Sequence, residues 1–422
     1  MKENRRATIT LDFYHPKTGP NSCIVAAMMK ITERTDSMLP LWRLGFRPFF
    51  LAGTAFAVIA IGLWLAVLAG ILTGWQPAGG ALAWHRHEML FGFAMAIVAG
   101  FLLTAVQNWT ATPGLAGRPL AGLALVWLAG RLVWLLDAPL WLLVPVDGAF
   151  LLLTAIVIGR QIWQVKQVRN YPVPGLLLLM AAANLLTLAG LATGSDAWQR
   201  QGVHAALWLL AALMGLIGGR VIPFFTQRGL MRSHQPTPVV ALDRTAMGSA
   251  VVVALLTASG LSLTATPWIA IVFVVMGTST ALRLARWYDK GIWGVPLLWS
   301  LHIAFAWLAL APLGMALWHL DIIATPGLPL HALTIGAMGG LILAMIARVT
   351  LGHTGRPLQP PAAMSWAFVA LNVSALSRVL ALPGVSSHIL WLSGALWLIA
   401  FGLYLAYYAR MLLTPRVDGM SG

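Results

Sequence analysis

The sequence predicts an all-α polytopic membrane protein of about twelve transmembrane helices. Composition is the first reason: 59% of residues are hydrophobic and 9% are charged, whereas soluble domains carry about 25% charged residues. The second is a series of apolar runs, each long enough to cross about 30 Å of hydrocarbon and separated by short polar connections. The third is the placement of Lys and Arg, mostly between those runs. The formal net charge of +15 therefore reads as loop charge that orients the chain in a bilayer, and a nucleic-acid partner is rejected. The 20 Trp fit this class, because Trp collects at membrane interfaces.

Residues 1–37 are polar, mixed in charge and rich in helix breakers. They lack the apolar core of a signal peptide. A disordered cytoplasmic leader is expected there, followed by one transmembrane domain over 38–422. Met38 opens a new register, M-L-P-L-W-R-L-G-F-R-P-F-F, and is an alternative start. The one cysteine, Cys23, lies in the leader. It leaves no thiolate for a membrane metal site and no intrachain disulfide.

The twelve runs lie at about 45–72, 87–109, 119–136, 141–163, 174–192 and 203–225, then 246–263, 268–282, 296–318, 329–349, 364–382 and 389–408. Basic residues favour one side. Arg43 and Arg47 precede or open the first run. Arg118, then Arg160 with Lys166 and Arg169, then Arg228, Arg232 and Arg244, then Arg283, Arg286 and Lys290, and Arg356, fill the even-to-odd connections. The opposite connections hold little beyond Arg86, Arg200 and Arg378. Both termini are therefore expected in the cytoplasm, and the membrane is expected to be a bacterial inner membrane.

Runs two, six and ten resemble one another. His87, His204 and His331 each stand near the start, and Gly117-Arg118, Arg228-Gly229 and Gly355-Arg356 follow the end. Runs six and ten also share Arg220-Val221 with Arg348-Val349, although the His-to-Arg spacing is 16 in one and 17 in the other. Three units of four helices are expected. The three histidines would then lie at similar depth near the outer face.

Histidine is costly enough in a membrane helix to suggest a task, but one carbonyl can satisfy a neutral ring. His85 and His87 are two residues apart, so on a regular helix they point about 200° apart and cannot grip one metal together. Either His85 folds back from a pre-helix loop or the two serve different centres. Glu88 can orient a ligating histidine through its second nitrogen, or it can be a first-turn carboxylate favoured by the helix dipole. His331 heads H-A-L-T-I-G-A-M-G-G, where Gly336, Gly339 and Gly340 clear a helix face. That face suits close helix packing or a flat macrocycle. His204, His319 and His388 also fall near the outer face, where ligation competes with packing or interfacial hydrogen bonding. His302 is about 25 Å from His319 along one helix and cannot share its centre. His353 sits at the cytoplasmic end as a loop or anion contact, while His15 and His234 lie in solvated segments. Arg220 and Arg348 lie at helix ends where arginine snorkels; an anionic group such as a haem propionate is the alternative. Arg131, inside the third run, needs a partner, and Asp137 six residues on does not face it. Met89, Met95, Met338 and Met345 read as packing.

Five separated motifs are similar to the NnrS family: L-W-R-L-G-F-R-P-F-F, W-H-R-H-E-M-L-F-G-F, G-F-L-L-T-A-V-Q-N-W-T, G-G-R-V-I-P-F-F-T, and H-A-L-T-I-G-A-M-G-G with R-V-T-L-G-H-T-G-R-P-L. They span residues from about 41 to the C-terminus. Thr110-Ala111 departs from an expected Thr-Gly. The resemblance implies an inner-membrane protein containing b-type haem and copper, linked to nitric oxide metabolism or tolerance. Its motif positions here are His85, His87, Glu88, Asn108, Trp109, Arg220, His331, Arg348, His353 and Arg356. On this reading His87 and His331 would be axial haem ligands, and His85 with His204 or His319 would hold copper. A more distant similarity is to the haem-copper oxidases, whose haem ligands also come from the second and tenth helices. The seventh run here has no histidine, however, so their copper pattern is missing. Expected partners are the lipid bilayer, nitric oxide or a metal-nitrosyl species, and conceivably a second copy of the chain. The rival reading is a transporter, with Arg220 and Arg348 as anion contacts, or a cofactor-handling factor without redox turnover.

Overall fold

The computed structural model describes residues 38–381 and 388–420. The expected leader lies outside them, and so does His15. Among the described residues every regular element is helical. Twelve helices are long and apolar enough to cross a membrane. They are α1 (Phe46–Leu68), α2 (Gly80–Thr110), α3 (Arg118–Leu135), α4 (Leu140–Gln164), α5 (Val168–Thr193), α6 (Asp196–Gly229), α7 (Val240–Ala258), α8 (Pro267–Trp287), α9 (Pro296–His319), α10 (Gly327–His353), α11 (Ala362–Val379) and α12 (His388–Leu413). Each overlaps one predicted run.

The largest differences are at the starts of α2 and α6, which begin seven residues before the apolar runs do. Hydropathy marks the stretch that suits hydrocarbon, whereas helical geometry continues through polar turns that have partners. In α6, Ser195 caps the helix by accepting from the Trp198 N–H at 3.3 Å, and Asp196 follows in the first turn. Both features favour a helix start. His85 therefore belongs to the helix and does not fold back from a loop.

Four helices make the centre. The apolar windows of α2, α6, α9 and α10 are 78, 67, 67 and 72% buried, and no other helix exceeds 44%. The remaining eight surround them and present apolar side chains outward, as Leu125, Leu128 and Leu132 do from α3. On the side of the termini, Arg47 ties α1 to the end of α12, donating to the carbonyls of Leu412 and Thr414 at 3.0 and 2.8 Å.

Two central helices share an irregularity. α2 is π-helical over Glu88–Ala94, directly after His87, and α10 is π-helical over Ala332–Gly339, directly after His331. α6 continues as an unbroken α-helix past His204. A π turn holds one residue more than an α turn. That extra residue accounts for the spacing of 17 from His331 to Arg348 against 16 from His204 to Arg220.

Candidate functional site

The head of α2 carries a buried polar network, in which Glu88 Oε2 is left without a hydrogen-bond partner. His87 is fully buried. Its Nδ1 lies 2.9 Å from Glu88 Oε1, and its Nε2 lies 3.0 Å from Asn184 Oδ1 and 3.2 Å from Asp147 Oδ2. Arg131 donates from Nη1 to Glu88 Oε1 and from Nη2 to Asp147 Oδ1, both at 2.6 Å. The Asn184 Nδ2 donates to Asp147 Oδ2 at 2.8 Å, which turns the amide oxygen toward His87. Both ring nitrogens thus face oxygen acceptors, so each carries a proton. The resulting imidazolium and Arg131 balance the two carboxylates. Neutrality matters here, because an unpaired charge in a low-dielectric interior costs several kcal/mol.

Four helices build this network. α2 supplies His87 and Glu88, α3 Arg131, α4 Asp147 and α5 Asn184. The π segment shapes it as well. Trp127 donates its indole N–H to the Gly92 carbonyl at 2.8 Å. A Cβ on Gly92 would come within 2.6 Å of Arg131 Nη1 and 2.7 Å of the Phe56 ring. Trp134 stacks on His87, with centroids 4.0 Å apart.

His85, on the opposite side of the same helix, has a different environment. Trp64 stacks on its ring at 4.4 Å and 14°, while its Nδ1 is buried without a hydrogen-bond partner in the protein. His331 stands at the head of α10, on the same outer side. His331 Nδ1 lies 2.6 Å from the Gly327 carbonyl. A carbonyl only accepts, so Nδ1 carries the proton, and the neutral ring keeps its lone pair on Nε2. Carbonyl anchoring of the distal nitrogen is how ligating histidines are commonly oriented.

The NnrS protein family matches residues 40–416. The chain belongs to the NnrS family. Membership supports a membrane protein of the nitric oxide response. Comparison with curated proteins returns no match.

The NnrS motif residues fall into separate places. His85, His87, Glu88 and His331 gather at the face opposite the termini. Arg220, Arg348 and His353 lie toward the other end of their helices, and Arg356 lies just past the end of α10. Arg220 donates to Asn170 Oδ1 at 2.6 Å and to the Arg169 carbonyl at 3.0 Å. Arg348 stacks over Phe225 at 3.9 Å, His353 packs 5.5 Å from the Phe46 ring, and Arg356 donates to the Thr354 carbonyl at 3.4 Å.

One outer histidine, His319, is already committed. His319 accepts the Thr266 N–H on Nδ1 at 3.1 Å, which leaves Nε2–H to donate to Ser262 Oγ at 3.0 Å. Neither nitrogen is left for a metal. His204 sits beside Arg86, Arg200 and Asp196. The α10 glycines serve packing and leave no open slot. A Cβ would meet Trp307 at Gly336, Trp397 at Gly339 and Ala304 at Gly340.

As a metal site, the buried network is a poor match. His87, Glu88 and Asp147 do offer three ligand atoms within 4.8 Å of one another. Yet Arg131 already bridges both carboxylates, and His87 uses both nitrogens as donors. A metal would have to displace a proton and a guanidinium together. His85 and His331 differ from His87, because one keeps a buried nitrogen without a partner and the other a lone pair on Nε2.

Sequence reasoning missed Asp147 and Asn184, and it left Arg131 without a partner. The signal was present: Asp147 is the only carboxylate in the fourth apolar run, and Arg131 is the only charge inside the third. Opposite charges buried in neighbouring membrane helices are expected to pair.

Proposed function

We propose that the chain is a b-type haem protein of the nitric oxide response, with the haem iron held by His85 and His331. The observation that carries this is the buried, partnerless Nδ1 of His85, on the same outer side as His331 at the head of α10. This reading moves the haem ligand that sequence alone placed at His87 to His85 and leaves His87 without a metal. A haem there would supply a redox-active iron, and coordination of nitric oxide would require one of the two histidines to leave. The chain's own residues orient the ligands. The Gly327 carbonyl fixes the His331 tautomer, and Trp64 holds the His85 ring plane. The neutral network around His87 braces the helix that carries His85.

Copper as a second centre would rest on His204, because His319 and His87 are fully hydrogen-bonded. The placement of basic loops supports a bacterial inner membrane with both termini in the cytoplasm.

Optical spectroscopy with metal analysis of the purified protein tests the reading. A Soret band that shifts when nitric oxide is added is expected, with copper below the haem content. Colourless protein, after expression with adequate haem, would overturn it and favour the transporter.

A further inference from the structure

A second feature lies at the opposite end of the molecule and involves none of the histidines above. A cavity of about 680 Å³ opens between α6, α7 and α8, against α9, under the loop that joins α6 to α7. Small-molecule sites commonly occupy about 300–1,000 Å³. Ala211 and Arg220 both line it, and nine residues of helix separate them, about 14 Å of depth at 1.5 Å per residue. The cavity therefore reaches about halfway through the roughly 30 Å of hydrocarbon.

Its two halves differ in chemistry. The mouth carries Arg169, Arg220, Arg244 and Arg283 against a single carboxylate, Asp243. The deep half is lined by Ala212, Ala250, Met276 and Leu308. Asp243 is already engaged, with its Oδ1 2.7 Å from Arg283 Nε. Among the described residues no carboxylate pairs with Arg169, Arg220 or Arg244.

The wall is built to hold this arrangement. Arg283 is 5% exposed and donates from Nη2 to the Gly215 carbonyl at 2.8 Å. A Cβ on Gly219 would overlap that guanidinium, so the G-G-R motif makes room for an arginine from another helix. Arg220 is held in place by Asn170 and the Arg169 carbonyl. The mouth loop is pinned too. Arg232 donates to both Asp289 oxygens at 2.8 and 3.0 Å, and Arg286 donates to the Thr237 carbonyl at 3.2 Å.

We infer that this cavity binds an amphipathic anion, with a phosphate or carboxylate engaged by Arg220, Arg244 and Arg169 and an apolar body seated against Ala212, Ala250 and Met276. Guanidinium groups without a carboxylate partner suit a phosphate or carboxylate, and Arg220, anchored through Asn170 and the Arg169 carbonyl, keeps further N–H donors. The small apolar residues below leave room for an alkyl or ring body that a free inorganic ion would not fill. The site is independent of the haem reading.

Thermal-shift titration of the purified full chain in non-ionic detergent tests it, using dodecyl phosphate, inorganic phosphate and dodecyltrimethylammonium as probes. Dodecyl phosphate should raise the melting temperature saturably, inorganic phosphate should act only at higher concentration, and the cation should do nothing. Charged hydrogen bonds of about 1.5–3 kcal/mol each correspond to about tenfold or more in affinity. The exposed-residue variant Arg244→Gln should therefore weaken dodecyl phosphate about tenfold. Ala250→Phe, which fills the deep half, should reduce dodecyl phosphate to the level of inorganic phosphate. His85→Ala should leave the titration unchanged, which separates this result from any failure of the haem reading. A phospholipid retained in native mass spectrometry and displaced by dodecyl phosphate would identify the bilayer as the source. A chain that binds dodecyl phosphate with no lipid retained would identify a soluble amphipath. An equal response to the cation, equal potency of inorganic and dodecyl phosphate, or titrations unaltered in both variants would overturn the inference.

Discussion

His85 and His87 stand two residues apart on one helix and meet opposite conditions. His87 is enclosed by Glu88, Asn184 and Asp147, with both nitrogens in use. His85 is sandwiched against Trp64 and keeps a buried nitrogen without a partner. Sequence spacing showed that the two face apart but not which one is spent. The difference lies in what the neighbouring helices bring. α3, α4 and α5 supply an arginine, an aspartate and an asparagine to one face, while α1 supplies a tryptophan to the other. A histidine surrounded by acceptors becomes part of the scaffold, whereas a histidine with an idle nitrogen is available to a ligand.

The strongest way to break this contrast is to disturb the enclosed side. Asp147→Asn or Arg131→Met leaves one buried charge uncompensated, which costs about 3–5 kcal/mol. A large drop in melting temperature in detergent is expected for either. A melting temperature within error of wild type would mean that the network does not brace the fold. Gly92→Ala should follow, because its Cβ would crowd Arg131 and Phe56; overpacking of this kind costs about 1–3 kcal/mol. His319→Ala sharpens the comparison from outside the pair. It loses two hydrogen bonds worth about 1 kcal/mol each and should leave the haem spectrum untouched. The smallest effect is expected at the Arg232–Asp289 clamp. Hydrogen bonds from Arg232 draw the Asp289 carboxyl down to about 2. The folded value lies below the ordinary carboxylate range, so the clamp is intact above that range and is lost as pH falls toward 2. Hydrogen exchange in residues 230–239 should rise only in that acid window.

Much of the architecture was legible because membrane helices announce themselves through run length and loop charge. All twelve spans matched, and the spacing that separates His85 from His87 held. Two features were not legible. The start of α2 at Gly80 is cut off from the apolar run by the polar His85-Arg86-His87 step, and it puts His85 inside the helix. The π segments carry no simple sequence period, although the one-residue slip between the His204 and His331 repeats was their trace. Partnerships were harder still. Arg131 was seen to need a partner, but Asp147 comes from another helix, and only the packing of α3 against α4 shows that they meet.

The most direct measurement compares the optical spectra of purified His85→Ala and His87→Gln proteins expressed with adequate haem. Loss of the Soret band in His85→Ala, with a native-like band in whatever folded His87→Gln protein is recovered, is the expected result. A full Soret band in His85→Ala, with loss confined to folded His87→Gln, would contradict the assignment and return the haem to His87.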